Sequence, residues 1–385
     1  MAGQRAYLDH NASAPLLPAA RAAVLAALAA DANPSSVHSE GRVARASIEE
    51  ARRAVAALVA AKADHVVFTS GATEAATMLL TPDWQMGRAA LRMSRLYVAA
   101  SDHPCLLTGG RFAKEDIEVL PVDSNGVLDL DALRAALARH DKTNGLPLVA
   151  IHAANNETGV IQPTGEIAAL VRDAGGVLVV DAVQAAGRIP LDIANVDYLI
   201  LSSHKIGGPK GAGAIVAKAD LMMPTPLVRG GGQERGHRAG TENLAAIAGF
   251  GAAAVEAARS LDEVEAIRNK RLRIEEIIAS LVPGATIFSR AAERLPNTIF
   301  FAIPGIKAET AQIAFDLAGV ALSAGSACSS GKAGPSHVLK AMGFGDDTSA
   351  LRVSIGHSTS DADIGMFAEA LAAMIARHER RTKAA

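Results

Sequence analysis

Six short apolar runs, HVVFTS, RLYVAAS, LVAIHAA, GVLVVDAV, YLILSS and GAIVA, alternate with segments of helical pattern between about residues 60 and 217. A strand that is apolar at consecutive positions buries both of its faces. Strands of this kind separated by helices predict an α/β fold with a mostly parallel sheet covered on both sides. In such sheets ligands bind beyond the carboxyl ends of the strands, so the polar residues that follow each run carry the chemistry. Single cores seldom grow past about 250 residues, so a chain of 385 residues predicts this large unit plus a smaller one.

Around that sheet, residues 41–62 place Ile48, Val55, Leu58 and Val59 on one helical face, with Arg45, Glu49 and Arg52 off it, which predicts a covering helix. After Asn243 an alanine-rich helical region leads to a charged helix over about 261–281. The rhythm then changes: NTIFFAI, VALSAG and LRVSIG read as strands, and Ser360 with Asp363 reads as a capping box for a last helix. The expected division is an arm over 1–15 packing with the small unit, a large ligand-binding domain over 16–255 and a small α+β domain over 256–385.

Lys and Arg number 38 against 40 Asp and Glu, a net charge of -2, so nothing in the charge balance points toward a nucleic-acid or membrane surface. The start, MAGQRAYLDHNASAP, lacks the apolar core of a signal peptide, and the run from Leu244 to Val255 is too short and glycine-interrupted to span a bilayer. A cytoplasmic location is expected. The two cysteines, Cys105 and Cys328, are far apart and lack metal-ligand spacing, so neither a metal site nor a disulfide framework is expected.

HVVFTSGATEAA reads as a strand, a turn at Gly71 and a helix start. Free N–H groups and the helix dipole would make that turn an anion cradle, with Ser70 and Thr73 as added donors; the other reading is that Thr73 simply caps the helix. Without a P-loop lysine the turn suits one phosphate better than a triphosphate. Asp181 ends its strand after four apolar residues and needs a cation or N–H partner, or else it serves as a cap. The next strand brings Lys205 to the same sheet edge. A desolvated lysine is favoured as a neutral amine, and such an amine forms a Schiff base with an aldehyde. If Lys205 carries an aldehyde cofactor, Ser202 and His204 can hold its phosphate side while the glycines from 207 to 213 leave room for its ring. A pyridoxal-phosphate lysine with an aspartate on the ring nitrogen is the expected electronic arrangement.

In this order the chain carries YLDHNASAP, NPSSVH, FTSGATE, an SDH with His103, NNETG, DAVQAAG, SSHKIGGPKG, GGGQERGHRAGTEN, SAGSACSSG and LRVSIG. As a set they resemble the cysteine desulfurases of the class V aminotransferase group, in the nitrogen-fixation and iron-sulfur branch. The resemblance implies fold type I of the pyridoxal-phosphate enzymes. It implies that Lys205 binds the cofactor aldehyde, Asp181 pairs with the pyridine nitrogen, Gln184 meets the phenolic oxygen, and His103 stacks on the ring and shuttles protons. Ala72, Thr73, Ser202 and His204 are implied to bind on the phosphate side, and Thr241 to reach the phosphate of the other subunit in a homodimer. Asn155 is implied to contact cofactor and substrate, sharing the substrate carboxylate with Arg352. Ser13 and Ala14 stand where the family has two threonines, and His357 where an arginine is common.

Cys328 lies in a run with almost no large side chain between Leu322 and His337, which predicts a mobile loop and a nucleophilic thiol; Cys105 reads as a small buried side chain. The implied reaction converts L-cysteine to L-alanine. Lys205 removes the alpha proton and the Cys328 thiolate attacks the substrate sulfur, leaving a persulfide for a sulfur-acceptor scaffold protein. A selenocysteine lyase or a small-amino-acid transaminase on the same scaffold is the alternative, and a non-catalytic interaction protein the rival from another class.

Overall fold

The computed structural model describes residues 5–325 and 336–384, with side chains as far as residue 380. The arm holds a short strand β1 (Ala6–Tyr7) and leads to helices α1 (Pro18–Leu28) and α2 (Ser39–Ala57). Pro18 opens α1, where its missing N–H has no intrahelical partner to lose. The His38 ring caps α2 by accepting the Gly41 N–H at 3.3 Å. α2 stops short of residue 62 because the backbone turns at Ala60, in the left-handed region at φ 54°.

Next come β2 (Val66–Thr69), α3 (Ala72–Leu79), β3 (Asp83–Met86), β4 (Ala89–Ala99), α4 (Pro104–Leu107), β5 (Ile117–Leu120), α5 (Leu130–Arg139), β6 (Leu146–His152), α6 (Thr164–Asp173), β7 (Val177–Asp181), β8 (Tyr198–Ser202), β9 (Gly213–Ala217) and β10 (Met222–Pro224). These strands make a nine-stranded sheet ordered β10-β3-β4-β6-β7-β8-β9-β2, with β5 also paired to β4. The middle, β5-β4-β6-β7-β8, is parallel as the apolar runs predict. Both flanks are antiparallel, because β8 returns to β9, and β3 to β4, without a crossover helix. Alternate residues enter separate cores: Leu178, Val180 and Leu199 on one face, Val177, Val179 and Ile200 on the other. That period of two in runs apolar throughout is the mark of a strand covered twice.

The rest of the chain contains α7 (Leu244–Ser260), α8 (Val264–Leu281), β11 (Thr286–Ile287), β12 (Thr298–Ala302), α9 (Ala308–Leu317), β13 (Val320–Ala321), β14 (Ser323–Ala324), α10 (His337–Ala341), β15 (Leu351–Ser354) and α11 (Asp361–Ala384). A four-stranded antiparallel sheet, β11-β12-β15-β14, backs a third core in which Phe315 and Phe367 stack at 5.3 Å. Ala6 and Leu8 of the arm belong to that core, and β1 pairs in parallel with β13. Ser360 and Asp363 form the reciprocal capping box: the Ser360 N–H donates to Asp363 Oδ2 at 2.7 Å and the Asp363 N–H to Ser360 Oγ at 3.2 Å.

α7 runs unbroken through residue 255, where a domain boundary is expected, and a short turn at Leu261–Glu263 separates it from α8. Leu244–Leu281 contains an 18-residue window apolar enough, by length and composition, to cross a membrane, which exceeds the expected run to Val255. Here α7 packs on α1 and α2, and a Cβ added at Gly251 would sit 2.4 Å from the Ala51 Cα. That close helix-on-helix approach is what its glycines supply.

Candidate active site

The carboxyl ends of β2, β4, β6, β7 and β8 deliver Gly71, His103, His152, Asp181 and Lys205 to one edge of the large sheet. There they line a cavity of about 470 Å³. Ala12 and Ser13 of the arm close part of it. The Lys205 ammonium donates to the carbonyls of Asn11 (2.6 Å) and Ala12 (3.0 Å), so the arm holds the amine at the cavity wall. Gln184 donates from Nε2 to the same Asn11 carbonyl at 3.0 Å, and its Oε1 accepts from Arg188.

Asp181 is buried at the end of β7 and accepts the Val183 N–H through Oδ1 at 2.9 Å. Burial pushes its carboxyl above the usual carboxylate range, against the pull of that N–H. Its other oxygen has no hydrogen-bond partner among the described residues. A buried acceptor beside a lysine in a roomy cavity suits a ligand that brings its own N–H.

The turn after β2 leaves the α3 amino terminus open. Gly71 is the N-cap residue and no side chain caps it, so Thr73, the second residue of the helix, is not the cap. Glu74 bends back to accept the Ser70 N–H at 2.8 Å and is held from outside by Arg238 at 3.0 Å. A Cβ built on Gly71 or Gly211, both at the cavity wall, meets no atom within 4 Å. Ala72, Thr73, Ser202 and His204 face the cavity with them. Burial, then Lys205 and Lys210, lower the His204 pKa to about 4. Its Nδ1 lies 3.3 Å from Ser13 Oγ, and its carbonyl accepts the Ala14 N–H at 2.9 Å. The two departures in the arm therefore pack directly on the lysine segment, and Ser13 keeps a hydroxyl there.

His103 begins α4 and accepts the Cys105 N–H at Nδ1 (3.2 Å), which puts the proton of the neutral ring on Nε2. Cys105 lines the cavity and is buried; burial, with Asp181 and Asp102 adding, pushes its thiol far above the ordinary range. It stays a protonated thiol, in accord with its reading as a small buried side chain.

Asn155, Arg352 and Thr241 do not line the cavity. Asn155 closes its own turn, accepting the Glu157 and Thr158 N–H groups (2.9 and 3.0 Å) and donating to the Ser101 carbonyl (2.9 Å). Arg352 is 1% exposed and donates to Asp9 Oδ1 at 2.8 Å and to the Asn156 carbonyl at 2.9 Å. Thr241 is exposed on its loop. His357 pairs with Glu263 at 2.9 Å, outside this cavity. Cys328 lies outside the described residues.

A buried chain that pattern reading missed stands behind the site. Asp102 accepts the Ala99 N–H at 2.6 Å, the His152 N–H at 2.9 Å and the His152 Nδ1–H. Gln162 Oε1 accepts the Leu128 N–H at 2.9 Å, which fixes the amide so that its Nε2 donates to His152 Nε2 at 3.0 Å. The ring is thereby locked with its proton on Nδ1, directly opposite Asp181 in the register of β6 and β7. The only hint in the sequence is a histidine ending an otherwise apolar strand.

The Aminotransferase class-V family matches residues 6–367. A cysteine desulfurase from Cereibacter sphaeroides is 40% identical over 382 residues, covering 96% of this chain and 95% of the relative. The chain belongs to the cysteine desulfurases of this family. An X-ray structure of a NifS-like protein from Rickettsia africae superposes with a TM-score of 0.85 at 32% identity, covering 95% of this chain and 98% of that one. SspA, solved in complex with cysteine, superposes at 0.74 with 26% identity, covering 91% of this chain and 98% of its own. In this chain Lys205 and Asp181 share one cavity wall beside an uncapped helix start. The transaminase and selenocysteine lyase readings gain no support from these relatives.

Proposed function

We propose that this desulfurase holds pyridoxal 5'-phosphate in the 470 Å³ cavity and takes sulfur from L-cysteine onto Cys328. The observation that carries the reading is the shared wall of Lys205 and Asp181: an amine for the aldehyde and a buried carboxylate with an unused oxygen for the ring nitrogen. The open start of α3, with Thr73, Ser202 and His204, would hold the phosphate. His103 would cover the ring, presenting its Nε2–H. Bound there, the cofactor supplies an electron sink for the substrate's alpha carbon.

Lys205 Nζ takes the alpha proton, and the arm carbonyls of Asn11 and Ala12 are placed to hold the resulting ammonium. Cys328 attacks the substrate sulfur: an S–S bond forms, the C–S bond breaks with its electron pair going to carbon, and protonation of that carbon leads to alanine. Arg352 would meet the substrate carboxylate by exchanging it for Asp9, and Asn155 would join it only after its turn opens. A homodimer placing Thr241 at the neighbouring phosphate, delivery to an iron-sulfur scaffold protein, a cytoplasmic location and the division at 15 and 255 belong to the same proposal.

The test is borohydride reduction of cofactor-loaded protein followed by peptide mapping. The label is expected on Lys205 alone. In parallel, Cys328→Ala keeps the cofactor absorbance and forms no persulfide or sulfide from cysteine. Label elsewhere, or normal turnover in that variant, refutes the assignment.

A further inference from the structure

Behind the catalytic wall lies a second cavity of about 240 Å³, between the arm, the segment after β7, the junction of α7 with α8, and the end of β15. Its walls are mainly apolar, with Leu17, Val264 and Ile267 among them, and it has one permanently cationic side chain besides Lys205, that of Arg188. Among the described residues the four buried arginines, Arg52, Arg271, Arg294 and Arg352, each have a carboxylate partner. Arg188 differs. Its guanidinium meets only neutral oxygens, the Gln184 carbonyl (3.0 Å), Gln184 Oε1 and the His10 carbonyl (3.4 Å). Among the described residues no carboxylate lies within 4 Å of it, and the side chains outside that set include no Asp or Glu.

A half-buried guanidinium on a mainly apolar wall with no acid facing it leaves a charge unbalanced. Burial already pulls the Arg188 pKa down to about 9, which leaves it cationic at neutral pH. Apart from Lys205, whose amine is held by the arm carbonyls, the other polar walls do not add charge. The His10 pKa is lowered to about 4, so that ring is neutral, and His357 is engaged by Glu263. The cavity thus offers one positive fork and an apolar floor. That fork matches a planar carboxylate better than a polyanion, and the floor takes a short hydrocarbon tail.

We propose that this cavity binds a short aliphatic monocarboxylate through Arg188, and that its occupancy is coupled to Lys205. The coupling follows a short path. Arg188 holds Gln184, Gln184 donates to the Asn11 carbonyl, and that carbonyl also accepts from Lys205 Nζ. A carboxylate on the fork competes with Gln184 Oε1, loosening the grip that Gln184 shares with Lys205. The binding claim stands on the cavity alone; the coupling runs through the free amine of Lys205 and rests on that amine being the one that joins the cofactor.

Calorimetric titration of the cofactor-loaded protein with butyrate tests it, with butyramide as the uncharged probe. Saturable binding of one butyrate per chain is expected, with affinity reduced about tenfold or more in Arg188→Gln, the loss of a charge-assisted pair. Val264→Phe, which fills the floor and keeps the charge, should weaken butyrate similarly. Absence of saturable binding, equal binding of butyramide, or unchanged affinity in Arg188→Gln overturns the site. Butyrate should also alter the rate of borohydride trapping at Lys205; a constant rate with binding intact overturns the coupling. Trapping on another residue would instead strike the cofactor assignment and leave the titration to decide the site.

Discussion

Replacing Asp102 by Asn deletes one charge and almost no volume, so its cost measures the buried chain behind the site. Asp102 is fully buried, with Oδ2 facing the Ala99 N–H at 2.6 Å and Oδ1 accepting both the backbone N–H and the ring Nδ1–H of His152. A carboxylate can accept all three, but an amide has one acceptor oxygen. If that oxygen serves His152, the amide NH2 confronts the Ala99 N–H donor to donor; if it serves Ala99, both His152 donors are orphaned. One or two buried donors left unmade, at about 1–3 kcal/mol each, together with weaker neutral bonds in place of charge-assisted ones, add to about 3–5 kcal/mol. Urea unfolding followed by circular dichroism should show a loss of this size at unchanged slope. In a His152→Phe background the ring donor is gone, so the same substitution should cost about 1–2 kcal/mol less. A loss under about 1 kcal/mol, or full additivity with His152→Phe, would refute the reading of the chain as one hydrogen-bonded unit.

The Arg52–Glu234 pair, bidentate at 2.7 and 2.8 Å and also accepting the Phe68 N–H, ties the 229–243 loop to the strand that leads into the open turn. Glu234→Ala leaves the buried guanidinium with only the part-exposed Glu49, at 3.3 Å, as its acid and orphans the Phe68 N–H, and should cost about 2–4 kcal/mol in urea unfolding. With its thiol held protonated, Cys105 should resist iodoacetamide at pH 8 in the folded protein and react on denaturation, as mass spectrometry of the labelled peptide would show. The His10 and His204 pKa values are lowered to about 4, so unfolding takes up protons at both as pH falls below the ordinary histidine value. Their stabilising contribution is complete above about pH 6.5 and is lost between there and about pH 4, at up to about 1.4 kcal/mol per pH unit for each ring. Urea midpoints across that range should fall with pH, and less steeply in His10→Asn.

Much of this protein was decided by its sequence alone. The apolar runs place the parallel strands, because burial on both faces is written in consecutive residues, and the same logic sends the turn at Gly71, Asp181 and Lys205 to one sheet edge. The capping box at Ser360 and Asp363 is equally local. What only the tertiary structure decided is who bonds to whom across long separations. Asp102 reaches His152 because β4 and β6 pair side by side; the arm reaches Lys205 through backbone carbonyls, groups that every residue carries and that no pattern can distinguish. Arg352 looks the same in the sequence whether it waits for a substrate or holds Asp9, and Arg188 whether or not an acid faces it. Periodicity reports which side of an element is buried, since that depends on neighbours a few residues away. The partner of a buried polar group depends on how the elements cross, and that is settled only when the whole chain has packed.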